Sequence, residues 1–199
     1  AENGIPFWLL SGVLIALGAI RGADGLYQSA LEESDVPQTI RLWQLPIAYL
    51  VVVGGLPFGE HQQDNVVLGP DRRLYLGSGS TCDVCVEKSP QSAAILSLRP
   101  DGSDLRIVAR GLRNPFGLAF EPGTHRLYAS VNGQDHLGTA KRPEPAESIV
   151  LVRSGAFYGW PRCWPSYRMR VLAGRCRSVT PPVAYLEPHS SADGIAFWR

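Results

Sequence analysis

The chain has 199 residues with Lys+Arg 19 against Asp+Glu 18, a formal net charge of +1; this is ample for a core and excludes an electrostatic nucleic-acid binder, which needs a clustered basic surface. Apolar residues at 45% and charged residues at 19% exclude general disorder. The 21 Gly and 16 Pro make about 19% of the chain, against roughly 12% in average usage, and both are poor in helix interiors, so short strands joined by turns are expected and a helical bundle is not.

Residues 1–37 read as an apolar N-terminal segment and a connection. Residues 5–20 carry no charge and are followed by Arg21. That stretch is short for a membrane span, which needs about 20 residues, and suits the apolar region of an export signal. Yet the preceding Ala-Glu-Asn-Gly has no basic residue, and Gly18, Ala19, Gly22 and Ala23 make a poor cleavage site. A membrane anchor, or a buried hairpin of 7–10 and 13–17 turning at Ser11-Gly12, therefore stay open. Without an initiator Met, residue 1 is not expected to be the natural start.

Residues 38–199 read as one partial domain. Two stretches, 65–79 and 117–133, each read strand, turn, strand: Pro70 and Pro122 are 52 residues apart, and the Arg-Leu-Tyr triplets at 73 and 126 are 53 apart. Gly194-Ile-Ala-Phe echoes Gly117-Leu-Ala-Phe 77 residues later, which implies an insertion of about 25 residues. Further strands are expected at Ala94–Leu98, 105–109 and 148–153. Sheets of about four strands recurring at this period are the signature of an all-β propeller. A sandwich with two similar hairpins is the alternative. A propeller of this length holds about three blades where a ring needs at least four, so a fragment with open, sticky edges is expected.

Cys82-x-x-Cys85 and the pair Cys163/Cys176 lack the spacing of a zinc ribbon, and the all-β surroundings do not suit a thioredoxin-like motif. Two disulfides in an exported protein are expected, with Cys82–Cys85 and Cys163–Cys176 as the first pairing and cross-pairing open.

His125 falls in a turn, His136 in a loop and His189 after a Pro. His61 differs, because Gly59-Glu-His-Gln-Gln-Asp precedes the first strand of a repeat. An imidazole beside the Glu60 carboxylate suits a general base that takes a proton from a hydroxyl; a loop histidine without a task is the plainer reading. Arg113-Asn114-Pro115 occupies the same place before the next repeat, so Arg113 and Asn114 are expected to face the same cavity. An Arg there binds carboxylates or stabilises an oxyanion, and turn capping is its plainer role. The loop Val131-Asn132-Gly133-Gln134-Asp135, with Glu147 and the Phe157-Tyr158-Gly-Trp-Pro stretch, offers the oxygen ligands a Ca2+ would take, without the spacing of an EF-hand.

These loops in this order resemble the PQQ-dependent (pyrroloquinoline quinone) soluble sugar dehydrogenases, the glucose and sorbosone dehydrogenase-like family. The resemblance rests on EHQQDNVVLGPDRRLYLGSG (60–79), GLRNPFGLAFEPGTHRLYASVNG (111–133), ESIVLVRSGAFYGWP (147–161) and PHSSADGIAF (188–197), and covers roughly residues 40–199. The cysteines are more like those of the sorbosone dehydrogenase branch. The resemblance implies a six-bladed propeller that binds PQQ and Ca2+ and oxidises an aldose or sorbosone-type sugar. By position it implies His61 as base and Glu60 beside the substrate. It implies Arg113 at substrate and quinone, Asn114 and Asn132 at the quinone, Gly133 and Gln134 at the quinone-bound Ca2+, and Glu147 and Tyr158 at a second Ca2+. Gln134 stands where many members have Pro, and Glu147 where Asp is usual. The family's later quinone-binding Lys and Arg fall beyond residue 199, so the chain alone is expected to have little activity.

The implied partners are a sugar, an external electron acceptor (a quinone or a cytochrome), no nucleic acid, and a membrane only if residues 5–20 anchor the chain. The implied location is periplasmic or secreted. A non-catalytic propeller of the NHL or lectin-like type, binding a glycan or a protein, is the competing function.

Overall fold

The computed structural model describes residues 56–57, 59–61 and 65–198; the readings of residues 5–20 and the boundary at 37/38 lie outside them. Twelve strands follow one another: β1 (Val66–Leu68), β2 (Leu74–Ser78), β3 (Ala94–Leu98), β4 (Arg106–Arg110), β5 (Asn114–Phe120), β6 (Leu127–Asn132), β7 (Gly138–Thr139), β8 (Arg142–Pro143), β9 (Glu147–Leu151), β10 (Cys163–Ser166), β11 (Val171–Gly174) and β12 (Ala184–Leu186). No helix occurs among the described residues, as the Gly and Pro content leads one to expect.

Strands β1 to β4 form one antiparallel meander, and β5, β6, β9 and β12 form a second. The Arg-Leu-Tyr repeats open the second strand of each sheet. The turns before them both end on a non-glycine residue of positive φ, Arg72 (62°) after Pro70 and His125 (57°) after Pro122, and the second turn has Gly123 (80°) there as well. The β7–β8 and β10–β11 hairpins interrupt the second meander, and the latter supplies the insertion inferred from the 77-residue spacing. Both disulfides form as first paired. Cys82–Cys85 closes a four-residue loop, and Cys163–Cys176 ties β10 to the chain just past β11.

Strand β3 is buried at all five positions, which suits a sheet covered on both faces. Side chains alternate across the pleat, so Ala94, Leu96 and Leu98 join Leu74 and Leu76 on one face. Ile95 points the other way and joins Ala109, Leu118, Leu127, Ala129 and Val150 between the two sheets. Each such side chain contributes about 1.5–3 kcal/mol by leaving water. The sheets approach so closely at Gly77 that a Cβ there would lie 1.8 Å from the Pro115 carbonyl oxygen. Sequential meanders packed face to face are blades of a partial β-propeller, and the sandwich reading falls away.

The third repeat differs from expectation: residues 194–198 form no strand. They still take the place of a blade opening, because the Gly194 and Ile195 backbone lies against Gly117 and Phe197 packs on Tyr128. Among the described residues there are therefore two complete blades and the start of a third.

Candidate active site

Residues Gly79–Thr81 leave β2 as a strap between two of the sequence candidates. On one side the Glu60 and His61 N–H groups donate to the Thr81 and Ser80 carbonyls (3.3 and 3.1 Å); on the other the Ser80 N–H donates to the Arg113 carbonyl (2.7 Å). The equivalent loops before β1 and β5 are thus brought to one place, as the repeat implied. Gly79 makes this possible, since a Cβ there would lie 2.4 Å from that of His61.

The half-buried His61 ring has Nδ1 2.9 Å from the Ser80 hydroxyl oxygen and 3.2 Å from its carbonyl oxygen. The Ser80 hydroxyl donates its own proton to the Cys82 carbonyl (2.7 Å), so the ring donates from Nδ1 and keeps the Nε2 lone pair. Burial, with the Arg113 charge behind it, lowers the His61 pKa below the usual imidazole value of 6.5; the Ser80 carbonyl, Asp135 and Glu60 oppose this without reversing it. A neutral imidazole with a fixed tautomer is what a general base requires. Glu60 is exposed and acts on His61 through its charge.

Arg113 is buried to 3% exposure and is held by Asp135, from the 131–135 loop, and by Asp83, which no sequence motif singled out. Its Nε donates to the Asp83 carbonyl (3.2 Å), and its Nη2 lies 2.8 Å from the Asp83 carboxylate and 2.7 Å from that of Asp135. Asp83 sits inside the Cys82–Cys85 loop. Its carboxylate also accepts from the Asp135 N–H and faces His136 Nδ1, both at 2.9 Å, and its carbonyl accepts from the Trp160 indole N–H at 3.2 Å. Burial pushes the Asp83 carboxyl up, but the His136 and Asp135 hydrogen bonds and Arg113 outweigh it and hold its pKa below the usual value. Asp83 was invisible in the sequence because its role depends on Gly111–Arg113, Gln134–His136 and Trp160 meeting around one short covalent loop.

Asn114 and Asn132 are direct partners across β5 and β6, so their side chains leave the same face. A bulge between Pro115 and Leu118, where proline supplies no N–H, sets this pair apart from the regular ladder. The Asn132 amide donates to Asp193 (2.9 Å), while the buried carbonyl oxygens of both side chains have no partner among the described residues. One orphaned acceptor can take the single N–H of a ligand such as PQQ and the buried guanidinium its anionic oxygens, and amide oxygens also suit a Ca2+.

A cavity of about 40 Å³ is bounded by Arg113, Asn132, Gly133, Gln134, Tyr158 and Trp160. It has room for an ion or a few waters and no room for a sugar. Of the four metal candidates, Gly133, Gln134 and Tyr158 therefore share one wall. The Tyr158 hydroxyl donates to the Leu151 carbonyl and accepts from the Arg153 N–H, which leaves its main-chain oxygen as what it can offer a cation. Glu147 does not meet Tyr158 there, because it lies on the other face of β9 from Ala146, Ser148 and Val150, which line the cavity. Its buried carboxylate accepts from the Gly133 N–H (2.8 Å). Burial raises its pKa, against hydrogen bonds from the Gly133 and His189 backbone and the charges of Arg113 and His189.

No protein-family model matches the chain. An uncharacterized protein of Borreliella burgdorferi is 29% identical over 133 residues, 65% of this chain and 34% of that protein. The aldose sugar dehydrogenase YliI of Escherichia coli is 25% identical over 112 residues, 51% of this chain and 27% of that protein. Among solved structures, the PQQ-bound aldose sugar dehydrogenase of Streptomyces coelicolor superposes with a TM-score of 0.51 at 26% identity, covering 66% of this chain and 37% of that one. The matched region thus spans about a third of the length of these relatives. Half to two thirds of the chain is therefore similar, in sequence and in fold, to part of an aldose sugar dehydrogenase.

Proposed function

We propose that this chain forms part of a quinoprotein oxidoreductase that oxidises an aldose or sorbosone-type sugar with PQQ and Ca2+, His61 being the general base. The observation that carries the reading is the junction of His61, with its free Nε2, the buried Arg113 and the two orphaned amide oxygens around one strap. His61 takes the proton of the sugar hydroxyl at Nε2 while Ser80 keeps Nδ1 protonated and the ring in place. Arg113 and Glu60 line the substrate side, where the guanidinium stabilises developing negative charge on oxygen. Arg113, Asn114 and Asn132 would hold the quinone, and the Gly133 and Gln134 carbonyls its Ca2+. The bound quinone supplies the two-electron acceptor, with Ca2+ as Lewis acid. Asp83 and Asp135 hold Arg113 and lessen its charge.

The similarity to aldose sugar dehydrogenases supports this class of reaction, and the two disulfides fit an oxidising, exported location with an external quinone or cytochrome as final acceptor. The test is sugar-dependent dye reduction by the whole oxidoreductase of which this chain is part, with PQQ and Ca2+ added. Activity that falls about 10²–10⁴-fold in His61→Ala, with quinone binding retained, supports the reading. A folded protein that binds no quinone overturns it, and undiminished activity in His61→Ala overturns the base.

A further inference from the structure

A cleft of about 650 Å³ shares Gly111 and Trp160 with the small cavity in its lining. One rim is the segment Val86–Pro90 that follows the Cys82–Cys85 loop. The other is the turn 157–162 leading into the Cys163–Cys176 hairpin. Its volume falls in the range of small-molecule sites, roughly 300–1,000 Å³.

Charge in the cleft is predominantly positive. Lys88, Arg110, Arg162 and Arg175 all line it, all are exposed, and none has an acidic partner among the described residues. The one carboxylate of the lining, Glu87, is engaged elsewhere: its two oxygens accept from the Thr81 N–H (2.7 Å) and the Thr81 hydroxyl (2.8 Å). Arg162 and Arg175 are held side by side, since each adjoins a cysteine of the 163–176 disulfide and the Arg175 N–H donates to the Arg162 carbonyl (2.7 Å). Adjacent like charges on a covalently fixed turn repel unless a counter-ion sits between them. In the same lining the Ser92 hydroxyl is buried, at 4% residue exposure, and has no hydrogen-bond partner. A net cationic rim and an orphaned buried hydroxyl are complementary to oxyanions, and Phe157 and Trp160 add aromatic lining for the body that carries the anion.

We propose that this cleft is a binding site for a small organic anion, a ring-sized molecule bearing a phosphate or a carboxylate, separate from the site at His61. Each of its rims adjoins a disulfide, Val86–Pro90 following Cys85 and 157–162 preceding Cys163. The Trp160 indole wall connects it to Asp83, and through Asp83 to Arg113.

The full chain is titrated calorimetrically with glucose 6-phosphate, gluconate and neutral glucose, with no quinone present, so the outcome does not depend on the proposed catalysis. Saturable one-to-one binding of either anion, weakened by added salt and reduced about tenfold or more in Arg162→Gln/Arg175→Gln, supports the site. Preference between the two anions identifies phosphate or carboxylate. Both arginines are exposed, so the variant is expected to keep the wild-type circular dichroism, and Lys88→Gln provides a second, milder loss if it does not. The proposal is overturned if neither anion saturates, if the double variant binds as the wild type does, or if only polyglutamate binds, which would mark an acidic protein face instead.

Discussion

Tyr75 and Phe120 meet edge to face, with ring centroids 5.3 Å apart and planes at 81°, and so join the second strand of one blade to the first strand of the next. Tyr128 and Phe197 repeat the contact at the same 5.3 Å. The Tyr of each Arg-Leu-Tyr triplet therefore receives the Phe of the following Gly-(Leu/Ile)-Ala-Phe. Both rings of the first pair are half-buried against the core between the blades, so Phe120→Ala should lower stability by about 2–3 kcal/mol, below the 3–5 kcal/mol of a fully buried Phe. Tyr75→Phe keeps the ring contact and removes the hydrogen bond that the phenol donates to Asp71 (2.9 Å), and should cost about 1 kcal/mol or less. Urea unfolding checks both; an unchanged midpoint in Phe120→Ala would contradict the blade-joining role.

The lowered pKa of His61 sets the sign of its pH dependence. The neutral ring predominates above a midpoint lying below 6.5, so the rate should rise with pH through that midpoint and be level by neutrality. The same shift disfavours the folded state as pH falls through it, because the unfolded ring binds its proton first. Ser80→Ala removes the hydroxyl acceptor of Nδ1–H and leaves the carbonyl at 3.2 Å, so kcat should fall about tenfold with little change in KM. Ser80→Thr should restore most of it. A pH–rate profile and the ¹⁵N shifts of the His61 ring read the tautomer directly; an Nε2-protonated ring would contradict the assignment.

What the sequence made legible was whatever repeats. The turns at Pro70 and Pro122, the Arg-Leu-Tyr strands and the loops at His61 and Arg113 recur at one period, and periodicity is a property of sequence that sheet geometry preserves. Strand β12 was missed because its three residues, Ala184–Leu186, gain their role only by pairing with β9. Asp83 and Ser80 were missed for a related reason. Each acts through groups 19 to 77 positions away, and no local pattern encodes a hydrogen bond to such a distant partner. Glu147 and Tyr158 were expected at one Ca2+ by resemblance alone, and the small cavity is lined by Tyr158 and not by Glu147, whose side chain leaves β9 on the face opposite to Ser148 and Val150.

Gly79 and Gly77 are two positions apart in the strap and strand, yet their substitution should fail in different ways. An added Cβ at Gly79 would meet His61 at 2.4 Å for Cβ and 2.9 Å for the carbonyl group, so Gly79→Ala should displace the base and lower activity about 100-fold. An added Cβ at Gly77 would meet the Pro115 carbonyl at 1.8 Å, so Gly77→Ala should separate the blades and lower the unfolding midpoint instead. Thermal unfolding and dye reduction on the same two variants separate the effects; equal loss of stability in both would contradict the distinction.

Asp83 should be the acid-sensitive element of the site. Its folded pKa lies below the ordinary 3.8, so its contribution to stability is complete above that value and is lost as pH falls through the lowered one. The exposed His136 beside it is shifted the other way: the Asp83 hydrogen bond raises its pKa above 6.5, so its contribution is full below 6.5 and fades as pH rises through the raised value. Asp83→Asn leaves the buried guanidinium of Arg113 with Asp135 alone, a carboxylate that is 58% exposed, and should cost about 2 kcal/mol at pH 7. The difference between wild type and variant should shrink as pH falls below 3.8, where the unfolded wild-type carboxyl takes up its proton before the folded one does. Denaturant unfolding at pH 7 and pH 3 measures it, and a penalty that is the same at both values would place the effect in packing of the Cys82–Cys85 loop and not in the charge of Asp83.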